Sequence, residues 1–469
     1  MRYGFAVDIG TTNIEISLWN LDACDVNPIN KDTLFKVLSQ HPASATSSAL
    51  QASIVAMQGT CWLRTFENSH NKMASSCDAS VPLKRKIVRN CLYVYGADVV
   101  SRILYAHYNG VEVLQKKLVA QLKSEFDAML GEVESETVAG YLAVARSDSS
   151  FRAECVVARA VFTGNTVMLH FLSGISVSGF EKAPFTPVSL FGGAEPAASA
   201  LASLADEVVL PPCIGAFLGA DIVCASLAVE SEADGAFVAA EDAVAGTAQR
   251  AHNEPYIVID IGTNTEIMLV DADGKRTACS AAAGPAFEGG GLSVEMKGSA
   301  LVAELACMLD EGIMDETGYI TEAFCGNVRG NSADEVPAPT ADKRRTALNQ
   351  QDVRQLQLAK GATAAAVETL LQSVGLDAAG INKCFICGNF GNALDIDAVK
   401  KTGLLPAALA EKAVYAGNAA LRGAELILLS KTAALPHAAE IAANTVVLQL
   451  ADSAVFAEKY IHRMNFVEF

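Results

Sequence analysis

The stretch Tyr256 to Val270, YIVIDIGTNTEIMLV, is a near copy of the stretch that opens the chain, Phe5 to Leu18, FAVDIGTTNIEISL. In each, an apolar run rich in β-branched residues ends at an aspartate, a Gly-Thr turn follows, and a second alternating run begins. That order predicts a β-hairpin with a tight, glycine-containing turn. One such hairpin is a common way to leave a sheet. Two of them, with Asp8 and Asp260 252 residues apart, predict two similar α/β halves whose hairpins face one cleft, with domain closure available as a work step.

The chemistry open to such hairpins follows from their residues. Gly10 and Gly262 lack the Cβ that would keep a ligand away, so backbone N–H groups of the turn can point at a phosphate. Thr11, Thr12 and Thr263 add hydroxyl donors. Asp8 and Asp260 would repel a bare phosphate, but serve if a hydrated Mg2+ stands between carboxylate and phosphate oxygens. A nucleoside triphosphate is the expected ligand; a duplicated domain with a cleft that carries no chemistry is the competing reading.

Paired hairpins of this kind resemble those of the actin, hexokinase and acetate kinase superfamily, which hold ATP from both sides. The resemblance implies an α/β fold with two ribonuclease-H-like, actin-like halves around a nucleotide cleft, with inserted loops. Residues 1–185 are expected to form the first half, with an insertion over about 22–90. Residues 186–255 lead into the second half, and 256–469 form it, with an adenosine-binding turn and C-terminal helices.

Composition narrows the alternatives. A chain of 469 residues can bury two or three substantial cores. A net charge of −18 without a compensating basic stripe argues against a nucleic-acid partner. The tight basic runs, Lys84-Arg85-Lys86 and Lys343-Arg344-Arg345, read as solvated loop faces. No signal-peptide pattern opens the chain and no uncharged apolar run is long enough to span a bilayer, so the expectation is a cytoplasmic protein without a membrane partner. Twelve cysteines then read as reduced thiols. Cys384 and Cys387 have a metal-type or redox-type spacing, but on a strand they point to opposite faces and read as buried small hydrophobes. No iron–sulfur cluster is expected in this chain.

Other candidates lie along the sequence. His170 falls inside an apolar helix and reads as a packed histidine. Asp221, in the Gly219-Ala220-Asp221 turn, either faces the cleft or caps the helix that follows. Residues 230–254 are acidic and read as a surface loop. Cys279 to Gly298 holds five glycines in twenty residues, and Gly289, Gly290 and Gly291 could present N–H groups to a ligand, with Glu288 a candidate for a water or metal contact.

Taken together, DIGTTNIEISL, YGADVVSRI, GNTVMLHFLSG, GAFLGADIVCASL, DIGTNTEIML, AAAGPAFEGGG, LAKGATAAAVETLL and GNFGNALDIDAVKKTGLLP resemble the ATP-binding part of the reductive activators of corrinoid proteins. That resemblance implies an ATP- and Mg2+-dependent protein that returns cobalt(II) to cobalt(I) in a corrinoid protein of a methyltransferase system. It also implies that Asp8, Gly10, Thr11, Thr12 and Asn13 form the first phosphate hairpin, and Asp260, Gly262, Thr263 and Asn264 the second. Gly388, Gly391 and Asn392 would serve the adenosine. With no iron–sulfur domain expected here, electrons would come from a separate ferredoxin-like donor, and a homodimer is a common state of such proteins. The alternatives are an ATP-switched binding protein without a redox role and a small-molecule kinase of the same superfamily.

Overall fold

The computed structural model describes residues 2–21, 82–144, 156–192, 200–232, 254–321, 347–388 and 395–469. Most of the expected insertion, Lys343-Arg344-Arg345, Gly391 and Asn392 lie outside the described residues.

The first half is built on β1 (Arg2–Ile9), β2 (Asn13–Asn20) and β3 (Lys84–Arg89), with α1 (Val99–Asn109) and α2 (Val111–Val144) following. It continues through β4 (Val156–Gly164), α3 (Thr166–Ser173), β5 (Glu207–Val209) and α4 (Ala220–Glu232). The strands lie in the order β3-β2-β1-β4-β5, antiparallel across β3-β2-β1 and parallel across β1-β4-β5.

The second half repeats this plan. It comprises β6 (Tyr256–Ile261), β7 (Thr265–Val270), β8 (Arg276–Ala281), α5 (Ser299–Asp310), α6 (Gln350–Ser373) and β9 (Lys383–Cys387). After these come α7 (Ile396–Thr402), α8 (Ala407–Ala410), β10 (Ala413–Gly417), α9 (Ala419–Leu429), α10 (Lys431–Ala443), β11 (Thr445–Val447) and α11 (Ala454–His462). Read as β8-β7-β6-β9-β10, the sheet has the first sheet's order and strand directions, with β11 added beside β8.

The two sheets face each other across α4 and α9. One continuous core takes Ala6 and Val161 from the first sheet, Val258 and Met268 from the second, and Ile222, Ala225, Leu421 and Ala424 from the two helices. Separate cores lie on the outer faces, one under α2, where the Phe5 and Phe126 rings stack with centroids 3.8 Å apart, and one under α6. β1 and β6 are therefore covered on both faces, which explains their unbroken apolar runs. Beyond Arg2, Asp8 is the position in β1 that is not fully buried, and Asp260 has that place in β6.

The close approach of α4 and α9 depends on Gly423. A Cβ there would stand well inside 3.0 Å of the Cys224 carbonyl, a separation real Cβ atoms do not reach.

Two expectations need correction. Lys84-Arg85-Lys86 is not a loop face but the start of edge strand β3, paired with β2 from Leu18↔Lys84 to Asn13↔Arg89. Its charges hide the strand from hydrophobic pattern reading and suit an exposed edge. Lys84 pairs with Glu132, Lys86 with Glu125 at 2.6 Å, and Arg85 Nη2 reaches Glu425 Oε1 and Oε2 at 3.0 and 2.9 Å. Because Glu425 is only 2% exposed, Arg85→Ala is expected to strand its carboxylate and cost about 1–2 kcal/mol in chemical denaturation; an unchanged midpoint would refute the role.

The stretch expected as an acidic surface loop also begins inside the fold. Glu230 lies in α4 and is buried, accepting from Ser226 Oγ at 3.0 Å, Tyr256 Oη at 2.9 Å and Arg276 Nη2 at 3.0 Å, and facing His437 Nε2 at 2.8 Å. Burial alone would raise its carboxyl, but His437 and Arg276 bring it down to about 2. Among the described residues no helix is long and apolar enough to cross a membrane.

Candidate functional site

The repeated topology brings the C-terminal ends of β1 and β6 to one place. There a cavity of about 70 Å³ is lined by Asp8, Gly10, Thr11, Asn13 and Glu15 of the first hairpin and by Asp260, Gly262, Thr263, Asn264 and Glu266 of the second. Asn165, Asp221, Glu288, Gly388 and Asn418 complete its wall. Of the hairpin residues expected from the repeat, all but Thr12 line this cavity, although they are drawn from opposite halves of the chain; Thr12 is joined to it through Glu288.

Side-chain hydrogen bonds cross the cleft. Glu288 Oε2 accepts from Thr12 Oγ1 at 2.7 Å and from Thr263 Oγ1 at 2.6 Å. Asn418 caps α9, accepting from Leu421 N at 2.8 Å, while its Nδ2 donates to Asp8 Oδ2 and Glu15 Oε2, both at 2.9 Å. Behind the first hairpin, the fully buried Arg102 donates through Nη2 to Thr11 O at 2.6 Å, and Asn90 Nδ2 donates to Gly10 O at 2.8 Å. These bonds hold the hairpin backbone from the protein side.

The other candidates fall into place individually. Asp221 lines the cleft, as one reading of it expected; it does not cap α4 but sits inside the first turn, with Oδ1 accepting from the adjacent Ile222 N at 2.9 Å. Gly388, at φ +90°, has no room for a Cβ beside the Asp260 carboxylate. Gly289 and Gly290 do not line the cavity; their N–H groups donate to Ala286 O and Pro285 O at 2.9 Å, closing a 3-10 turn instead of facing a ligand. Gly219 packs against the turn between β4 and α3. His170 is buried, with Nδ1 2.8 Å from Thr166 O. Cys384 lies in the outer core and Cys387 in the inter-sheet core.

The repeat also contained residues that motif reading passed over. Glu15 stands directly across from Asp8, and Glu266 directly across from Asp260. Like charges in opposed positions destabilise a sheet, so a glutamate recurring opposite the aspartate in both copies was a readable signal. Asn418 and Asn165 precede helices and carried only the ordinary signature of a cap.

Crowding of carboxyl groups sets the electrostatics. Burial, then the charges of Asp221 and Glu288, raises Asp260 to about 7. Burial also raises Asp221 to about 6. Asp8 is raised well above its usual value by burial and by Asp260, Asp221 and Glu15, against the opposing hydrogen bond from Asn418. Glu266 is raised by burial and then by Asp221 and Asp260. The folded chain therefore retains protons that the unfolded chain gives up. Their contribution to stability is complete below the ordinary carboxylate range and is lost as pH rises through about 6 to 7. Thermal melts in divalent-free buffer are expected to fall by a few degrees between about pH 5 and pH 8; a flat profile would contradict this ordering.

Six acidic side chains around one small cavity suit a cation, and threonine hydroxyls beside them suit an anion. Among the described residues no group of three His, Cys, Asp or Glu side chains is placed to hold a metal ion.

Two family models match the chain: the C-terminal domain of RACo, the ASKHA domain, over residues 254–298 and 295–468, and the RACo middle region over residues 77–233. The corrinoid activation enzyme RamQ of Eubacterium limosum is 25% identical over 441 residues, covering 82% of this chain and 66% of RamQ. A Co(II) methylated amine-specific corrinoid protein reductase of Methanosarcina barkeri is 27% identical over 299 residues, 55% of this chain and 52% of the reductase. The solved structure of a reductive activator for corrinoid,iron-sulfur protein superposes with a TM-score of 0.68 at 23% identity, covering 100% of this chain and 66% of that one. The chain spans 66% or less of the length of these relatives, and the structural likeness shows the actin-like fold.

Proposed function

The chain belongs to the RACo family, and from that premise we propose that it couples ATP binding in the inter-sheet cleft to the reductive activation of a corrinoid protein. The observation that carries this reading is the meeting of Asp8 and Thr11 with Asp260 and Thr263 at one cavity, from equivalent ends of two equivalent sheets, with Thr12 joined to it through Glu288.

The residues fit a magnesium nucleotide. Thr11, Thr12 and Thr263, with the turns at Gly10 and Gly262, offer donors to phosphate oxygens, and Asn13 and Asn264 flank them. Asp8 and Asp260 would hold hydrated Mg2+ through its water, with Glu15 and Glu266 behind them. Gly388 lines the cavity, and with Gly391 and Asn392, which lie outside the described residues, it would serve the adenosine. The bound nucleotide supplies a phosphoanhydride whose hydrolysis is favourable; the protein supplies position and charge.

The cavity of about 70 Å³ is far smaller than the roughly 300–1,000 Å³ of sites that enclose small molecules. Admission of a nucleotide therefore requires the halves to separate at the Thr12–Glu288 and Asn418–Asp8 contacts and to close again around it. That motion is the coupling step, since a ligand shifts a conformational equilibrium only through its different affinity for the two states. Reduction of cobalt(II) to cobalt(I) would take its electron from a separate ferredoxin-like donor.

ATP turnover measured with and without a cobalt(II) corrinoid protein from the same cell tests the proposal. Turnover that rises with the partner is expected, and turnover indifferent to it would count against an activator. Nucleotide binding without hydrolysis would move the reading to an ATP-switched binding protein.

A further inference from the structure

Glu288 belongs to the second half but reaches into the first. Its backbone ends the 3-10 turn Pro285–Glu288, which is pinned by Gly289 N to Ala286 O at 2.9 Å and by Gly298 N to Phe287 O at 2.8 Å, with the Phe287 ring buried. From this fixed base a single oxygen, Oε2, accepts from Thr263 Oγ1 at 2.6 Å and from Thr12 Oγ1 at 2.7 Å. The first contact lies within the second half. The second spans the cleft, joining residues 276 positions apart.

An oxygen that accepts one hydroxyl from each hairpin does what a phosphate oxygen held between the hairpins would do. Resting on the nucleotide reading above, we propose that Glu288 is a built-in stand-in for that phosphate. It closes the cleft by bridging Thr12 and Thr263, and an incoming phosphate has to displace it. Sharing is not open to it, because each hydroxyl has one proton to donate. A phosphate would also bring further negative charge beside Glu288, in a cavity already lined by Asp8, Asp221, Asp260 and Glu266. With its backbone anchored, the Glu288 side chain has to rotate away from both hydroxyls as the halves part.

Selectivity for nucleotide state follows. A triphosphate that reaches between the hairpins breaks the bridge, whereas a diphosphate that falls short leaves Glu288 in place. The bridge thereby lowers the apparent affinity for the triphosphate by the fraction of molecules in which it is closed.

The test is calorimetric titration of full-length wild type, Glu288→Ala and Glu288→Gln with a non-hydrolysable ATP analogue and with ADP, each with Mg2+. It is paired with hydrogen exchange of the Gly10–Asn13 and Gly262–Asn264 amides without nucleotide. Glu288→Ala is expected to tighten the ATP analogue about tenfold or more, to change ADP by less than about twofold, and to speed exchange in both hairpins. Glu288→Gln keeps an acceptor and is expected to fall between, and it serves as the reference should the alanine variant fold poorly. Weaker binding of the analogue in both variants would overturn the proposal and make Glu288 a contributor to cation or water binding. Unchanged affinity would overturn it as well. If neither wild type nor variants bind nucleotide, the reading of the cleft fails, and with it the competition; faster exchange in Glu288→Ala would then support the closing contact alone.

Discussion

Asp260→Asn is expected to lower nucleotide turnover by about two to three orders of magnitude while making the nucleotide-free protein more stable. The opposite signs follow from one fact. Asp260 stands in a cleft where burial and the charges of Asp221 and Glu288 already oppose its ionisation, holding it at about 7. Removing the charge relieves that repulsion. Carrying the whole displacement from 3.8 to about 7 would be worth at most about 4 kcal/mol, and water in the cavity with side-chain relaxation reduces this to about 1–2 kcal/mol at neutral pH. The same charge is what a hydrated cation would need. Turnover assays and melts on one preparation check both signs, and a variant that loses stability together with activity would show Asp260 to be structural.

Gly423→Ala is expected to cost about 3 kcal/mol or more, with loss of soluble protein as the extreme case. The added methyl would meet the carbonyl, carbonyl carbon and Cα of Cys224, which are backbone atoms of α4 and cannot rotate away. α9 would have to move off α4, disturbing the core that joins both sheets. Gly131→Ala is the control: it lies in α2 with nothing within 4 Å of its added Cβ, and helix propensity predicts a gain of about 1 kcal/mol. Equal denaturation midpoints for the two variants would refute the packing argument.

The duplicated plan was legible because each central strand is buried on both faces, and burial on both faces writes an unbroken apolar run. β1 and β6 announced themselves in this way, and their terminal aspartates stood out against it. Strand β3 did not, since an edge strand whose Lys84, Arg85 and Lys86 each find a carboxylate carries charge where a pattern looks for hydrophobes. Gly289 and Gly290 misled for a different reason. Glycine density signals freedom of the backbone, and here that freedom serves a 3-10 turn that presents the Glu288 side chain. Asn418 was out of reach, because its value lies in a contact to Asp8 410 residues away.

The buried knot around Glu230 has a mechanical meaning. α4 carries Asp221 in the cleft and Glu230 in the knot, nine positions on, a span of about 13 Å at helical rise. β6 carries Asp260 in the cleft and Tyr256 in the knot, four positions apart, again about 13 Å at strand rise. Helix and strand are two struts of matched length, lashed together at the far end by Glu230, Tyr256, Arg276 and His437. Such a braced frame fixes how far apart the two cleft aspartates stand without help from the hairpin loops.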